Sequence, residues 1–362
     1  MKELFDKENC LVNVASSILR HYHVDSFHPS LKLLDKALNK TDKKICIVLF
    51  DGFGKAIREV YKNECPNIRA HTYTTITSVF PPTTVAATTA LTTGRFPMET
   101  GWLGWTEQFP MYEKAVTMFP STFADENVEK TPISSYECLP VTTIFEILNQ
   151  HGVKADKIQD FSLEDKSIPG FFKATDKKLK EDIDFLYAYC VEPDSLLHDL
   201  GVGNETIRPV IKAIDEGMKK LAIDNPDTLF IVLADHGHKN ATHFSIDEHG
   251  DFYSLLRIKH FSIESRAANF YVENGKQDEF RRLAEKYYGE HFYILSKKEV
   301  LDEHVFGYGK ASEKFESLLG DFLLISKDEA TFVKSKDDPG LVSHHAGSSD
   351  EEKYIDVSLF NL

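Results

Sequence analysis

The sequence predicts an α/β fold built on a mostly parallel central sheet with helices on both faces. Three apolar runs, Lys44–Phe50, 184–191 and 228–234, each stop at a turn that carries an aspartate. Continuous runs rich in β-branched and aromatic residues suit strands buried on both faces, as parallel sheets require. Between the second and third runs, Ile207, Val210, Ile211, Ile214, Met218 and Leu221 step by three and four, the apolar stripe of a crossover helix. Strand, helix and strand in alternation give a parallel sheet.

The elements follow in order. Leu11, Val14 and Ile18, then Leu31, Leu34 and Leu38, recur at helical spacing, so residues 1–40 read as a helical segment packed on the core. Residues 41–362 read as one domain. Its first strand ends at Asp51-Gly52-Phe53-Gly54, a tight turn, and a helical pattern follows through Ile57 and Tyr61. Pro81-Pro82 stop the chain before a run of small residues that forms a helix ending at Gly94. The stretch 250–338 is less regular. A strand at 268–272, a helix at 277–288 and a strand near 321–325 read as further core with a small insertion.

Composition narrows the function. The 362 residues include 42 Lys and Arg against 57 Asp and Glu, a formal charge of −15. That balance disfavours nonspecific nucleic-acid binding and adhesion to anionic membranes. Charges interrupt the apolar residues of the first twenty positions, and no run of 18 apolar residues exists, so neither a leader peptide nor a spanning helix is expected. Cys10, Cys46, Cys65, Cys138 and Cys190 are odd in number and scattered. The expectation is a cytoplasmic protein without disulfides.

The chemistry gathers at the strand ends. In open α/β sheets ligands bind beyond the carboxyl ends of the strands, and Asp51, Asp194 and Asp235 stand there. One such aspartate is ordinarily a cap or turn residue. Three that converge would repel one another unless cations sit between them. His198 follows Asp194 by one helical turn, His236 adjoins Asp235, and Ser343-His344-His345-Ala346-Gly347 adds late histidines. A mixed carboxylate and imidazole set suits zinc-like ions, whereas an all-oxygen set would suit magnesium or calcium.

Thr83 and Thr84 open the helix that ends at Gly94, where free N–H groups stabilise both an alkoxide and a phosphate. By local sequence alone, helix capping explains them equally well. Phe53, Trp102 and Trp105 are candidates for a substrate pocket, since both tryptophans lie just beyond that helix, although core packing also explains such residues. His238 and His243 lie close by and are candidates to support the ligands or contact substrate, although a surface histidine is the favoured reading.

Taken together, Asp51-Gly52, Pro81-Pro82-Thr83-Thr84 with Thr93-Gly94, Pro193-Asp194 with His198 and Gly201, and Asp235-His236-Gly237 resemble the alkaline phosphatase superfamily, in particular its type I phosphodiesterase / nucleotide pyrophosphatase family. The resemblance covers roughly Lys44 to the C-terminus and implies an alkaline-phosphatase-like three-layer sandwich. It implies one metal held by Asp51, the nucleophile Thr84, Asp235 and His236, and another held by Asp194, His198 and a C-terminal histidine. His345 is the choice, because 345–352 resembles the family's H-G-G-x-S-x-E-E, with His344 as the alternative. The implied cofactors are two divalent ions, zinc first, with manganese or iron also suitable. The implied partner is a small phosphate ester or nucleotide, hydrolysed through a phosphothreonine. Three carboxylates and an alkoxide would balance two such cations.

The chain departs from the family pattern at Ala87, where the phosphodiesterase branch carries an asparagine, at Leu197, and in lacking a terminal H-G-Y-D-N. These departures leave a phosphomonoesterase or phosphonate hydrolase as alternatives on the same fold. A non-catalytic metal-binding scaffold is the less favoured one.

Overall fold

Backbone N–H and C=O groups buried with apolar side chains must pair in ladders, and the apolar runs do so. In a computed structural model that describes residues 4–124 and 129–362, the main sheet has six strands. From one edge to the other they are Thr72–Thr77, Tyr354–Phe360, Thr228–Leu233, Lys44–Phe50, Phe185–Cys190 and Ala155–Gln159. The four strands from Thr228–Leu233 to Ala155–Gln159 are parallel neighbours, and Tyr354–Phe360 runs antiparallel between Thr228–Leu233 and Thr72–Thr77. The three strands foreseen from the apolar runs lie side by side at the centre, with every residue buried apart from Lys44.

Helices cover the sheet. Arg208–Asp224 is the expected crossover helix and packs on Ile168–Leu179. The amino-terminal segment forms Leu11–His21 and Lys32–Leu38, and the first of these packs against Thr84–Thr93. Among the described residues no helix is long and apolar enough to cross a membrane, and all five cysteines are buried and free.

A second sheet has seven short antiparallel strands. Strands at Phe292–Ser296, Phe322–Ser326, Ala267–Phe270 and Ser262–Ile263 continue into Thr106–Glu107, Val116–Thr117 and Thr122–Phe123. The 250–338 stretch therefore joins residues that follow the Thr84 helix, a link that periodicity does not reveal. Its own apolar cluster includes Phe252, Phe270, Phe280 and Phe332.

Candidate metal and phosphoryl-transfer site

Register sets the first half of the site. Leu49 pairs with Leu233 on one side and Tyr189 on the other, so all three central strands end level. Asp51 and Asp235 emerge from neighbouring strands at that edge. The Asp51 N–H donates to Cys190 O at 2.9 Å, the Asp194 N–H to Asp51 O at 3.2 Å, and the Gly52 N–H to Asp235 Oδ1 at 3.1 Å. Gly52 has φ +68°, and a Cβ there would lie 3.1 Å from Asp194 Cα. A Cβ on Gly54 would come within 2.6 Å of Gly237 Cα, so the two turns approach closer than any side chain permits.

The residues brought together form two groups of possible ligands that share His236. Asp51, Asp235 and His236 form one, and Asp194, His236, His238 and His345 the other, with donor atoms within 4.8 Å of one another in each. His236 Nε2 lies 3.2 Å from Asp51 Oδ1 and 3.4 Å from Asp235 Oδ2. Thr84 Oγ1 sits 3.3 Å from His236 Nε2 and 3.4 Å from Asp51 Oδ1. Tyr189 donates its hydroxyl hydrogen to Asp51 Oδ2.

Thr84 opens the Thr84–Thr93 helix, and Thr83, its N-cap, makes no capping hydrogen bond. The N–H groups of the first turn therefore have no side-chain partner there, the arrangement that binds anions.

Asp194 starts the short Asp194–Leu200 helix. One turn on, His198 Nε2 lies 3.5 Å from Asp194 Oδ2, and its Nδ1–H donates to Ser343 O at 2.9 Å. That bond leaves the Nε2 lone pair facing the carboxylate. His345 Nε2 lies 3.9 Å from Asp194 Oδ1, and its ring stacks on His236 with centroids 3.9 Å apart. His344 is also buried, but it is outside both groups, and its Nδ1 accepts the His345 N–H.

Electrostatics show what the cluster is built to hold. Burial, then the neighbouring Asp51, push Asp194 well above the ordinary carboxylate range, and the same causes carry Asp235 to about 8. Burial alone would lower His236, yet Asp235, Asp51 and Asp194 lift it to about 10. Burial holds His238, His344 and His345 well below the ordinary imidazole value, so all three are neutral, and His238 and His345 offer lone pairs within the second group. The ion pairs that the three aspartates make with described residues are all to histidines.

Two further observations fit a divalent cation. Asp235 Oδ2 and His345 Nδ1 are buried without a hydrogen-bond partner. Ser343 Oγ gives its one hydrogen to Leu197 O at 2.6 Å, so His238 Nδ1–H must be the donor in its 3.0 Å contact with that oxygen. His238 Nε2 then turns a lone pair toward Asp194 Oδ1 at 2.5 Å, which needs a proton or a cation to bridge it.

Other positions differ from expectation. His238 is buried rather than on the surface, with its ring 4.7 Å from that of His198 and 5.6 Å from that of His236. His243 is exposed and bonds Leu341 O. Phe53 and Trp102 belong to the core: Phe53 packs edge-on against Phe50, and Trp102 donates its indole N–H to Leu139 O at 2.9 Å. Side chains so enclosed offer a ligand no surface. Trp105 is 45% exposed and lines a cleft of about 1150 Å³ that also reaches Thr84, Asp194, His198 and His345. Glu264, which carried no sequence signal, lines the same cleft.

The sheet order and the acidic and imidazole groups at its carboxyl edge define an α/β fold with a ligand site at the strand ends. The profile of type I phosphodiesterase / nucleotide pyrophosphatase sequences matches residues 45–352, and the chain belongs to that family of hydrolases. No curated protein matches it in sequence. Among solved structures, it is similar to murine ectonucleotide pyrophosphatase / phosphodiesterase 5, as an inactive variant in complex with AMP, at 19% identity, covering 88% of each chain with a TM-score of 0.65. The human counterpart gives 18% identity over 88% of this chain and 87% of that one, with a TM-score of 0.65. Phosphonoacetate hydrolase from Sinorhizobium meliloti 1021, with phosphonoformate, gives 17% identity over 88% and 89%, also at 0.65.

Proposed function

We propose that this protein hydrolyses phosphate esters, at a phosphodiester or pyrophosphate bond, with two divalent ions and Thr84 as nucleophile. The observation that carries the reading is Thr84 Oγ1, set at an uncapped helix start and within 3.4 Å of both Asp51 and His236. Asp51, Thr84, Asp235 and His236 would hold one ion, and Asp194, His198 and His345 the other, with His238 beside Asp194 as a further imidazole ligand on that side. Zinc is the natural choice for such a mixed set, with manganese or iron also suitable. When bound, the ions supply Lewis acidity that neutralises the carboxylates and favours an ionised hydroxyl.

The chain's own groups do the rest. Asp51 Oδ1 and His236 Nε2 are the atoms within reach of the Thr84 hydroxyl proton. Thr84 Oγ bonds to phosphorus as the bond to the leaving oxygen breaks, and that oxygen departs with the electron pair. Backbone N–H groups at the helix start orient the phosphoryl oxygens. Water then adds to the phosphothreonine, Thr84 Oγ departs from phosphorus and recovers a proton, and phosphate or its monoester leaves. A phosphonate hydrolase is the second reading, because that neighbour is as similar in fold as the pyrophosphatases.

The test is a side-by-side assay of bis-p-nitrophenyl phosphate, p-nitrophenyl phosphate, a dinucleotide pyrophosphate and phosphonoacetate, with metal analysis of protein purified without chelator. Diester or pyrophosphate turnover, lost on chelation and restored by zinc, with about two ions per chain, is the expected result. Inertness toward all four substrates would refute the hydrolase.

A further inference from the structure

Glu264 is a buried carboxylate that lines the cleft, and none of the chemistry above uses it. It follows the Ser262–Ile263 strand of the second sheet, and Ile263 adopts φ +72°, a left-handed backbone that a β-branched side chain rarely accepts. The strand presses close to the chain beyond the Thr84 helix, since a Cβ on Gly104 would lie 2.7 Å from Ile263 O. One oxygen, Glu264 Oε1, accepts two hydrogen bonds, from Thr83 Oγ1–H at 2.5 Å and from the Trp105 N–H at 2.8 Å. The first explains why Thr83 leaves the helix start uncapped: its hydroxyl is turned to Glu264 instead. The other oxygen, Oε2, accepts no hydrogen bond from the described residues, while the side chain lines the cleft with Thr84.

We propose that Glu264 is a positioning and specificity-determining residue that holds the Thr83 hydroxyl off the helix start and, by the charge on its free oxygen, favours singly charged phosphodiesters over doubly charged phosphomonoesters. The proposal rests on the hydrolase reading above. Two observations support it. The helix start at Thr84 is open to a phosphoryl group only while Thr83 points away. A carboxylate beside that opening opposes each added negative charge on the substrate, the repulsive element by which specific sites reject a wrong ligand. Burial is the main cause that lifts this carboxyl, to about 7, so it is ionised in mildly alkaline assays.

Bis-p-nitrophenyl phosphate and p-nitrophenyl phosphate share a leaving group and differ by one charge, so the ratio of their kcat/KM values isolates the effect. At about pH 8.5, Glu264→Gln, which keeps the acceptor for Thr83 and Trp105, should raise the monoester-to-diester ratio about tenfold. Its metal content should equal that of the wild type. Glu264→Asp, which keeps the charge on a shorter arm, should lower kcat for both esters while retaining the wild-type ratio. An unchanged ratio in Glu264→Gln with both ions bound overturns the proposal and leaves the hydrolase reading standing. If Glu264→Gln does not fold, a shifted ratio in Glu264→Asp overturns it and a retained one with reduced kcat supports it. A wild type inert toward both esters removes the hydrolase reading and this proposal together.

Discussion

The two ligand groups differ in how the chain builds them. Asp51 and Asp235 leave adjacent parallel strands, and the Gly52 N–H bonds Asp235 directly, so sheet register alone places them. Asp194 and His345 meet only because a short helix and a late loop converge. That loop is held from a different layer: Arg266 reaches Glu352 with Nε and Nη2, both at 2.8 Å, and Glu352 Oε1 accepts the Gly347 N–H at 2.7 Å. Arg266 and Glu352 have no exposed side-chain surface. Ala346, beside His345, has φ +85°, a strained backbone that this clamp must hold. One group is a product of strand geometry, and the other depends on tertiary ties.

The contrast can be broken by substitution. Thr84→Ala removes the nucleophile and one of four groups around the Asp51-side ion, and should lower turnover by about 10³-fold or more while Asp51, Asp235 and His236 keep that ion bound. Undiminished kcat would remove Thr84 as nucleophile. Glu352→Ala leaves the Arg266 guanidinium buried without its carboxylate and frees the loop. It should cost about 3–5 kcal/mol of stability, read by denaturant titration. Surviving protein should bind about one ion rather than two, and equal loss of both ions would show that the groups are built alike.

Ser343→Ala sharpens the comparison. It removes the hydroxyl that links His238 Nδ1 to Leu197 O, and should weaken the Asp194-side ion about 10- to 100-fold in chelator competition. The Asp51-side ion should be unaffected.

The smallest effect concerns pH. In metal-free protein, Asp235 keeps its proton to about 8 and His236 to about 10, whereas unfolded they titrate near 3.8 and 6.5. Between about pH 7.5 and 9, above the range where unfolded histidines carry protons, the folded state thus binds more protons, and stability falls as pH rises. The buried neutral histidines are uncharged in both states across that window. Melting temperature should therefore decline across it without metal and stay nearly flat with zinc bound. A rising melting temperature in the metal-free protein would contradict the repulsion described for the aspartates.

Much of this was legible in order along the chain. The central strands, the crossover helix and the Thr84 helix carry their signals in continuous apolar runs, in three-and-four spacing, and in prolines and Gly94 at the ends. The aspartates were legible because strand ends in parallel sheets are where ligands bind. His238 was misread because one histidine resembles another until the tertiary structure shows which is buried beside Asp194. Phe53 and Trp102 were offered to the substrate because aromatic residues serve cores and ligands alike, and only burial separates the two uses.

By itself the sequence determined which segments become strands and helices and which residue types gather at the sheet's carboxyl edge, since periodicity and local turn chemistry act over a few residues. Only the tertiary structure decided that residues 106–123 and 250–338 share a sheet, that Glu264 faces the Thr84 helix, and that a clamp around Glu352 carries His345 to Asp194. Those arrangements arise from contacts between residues far apart in the chain, where burial and pairing of charges, rather than local preference, set the outcome.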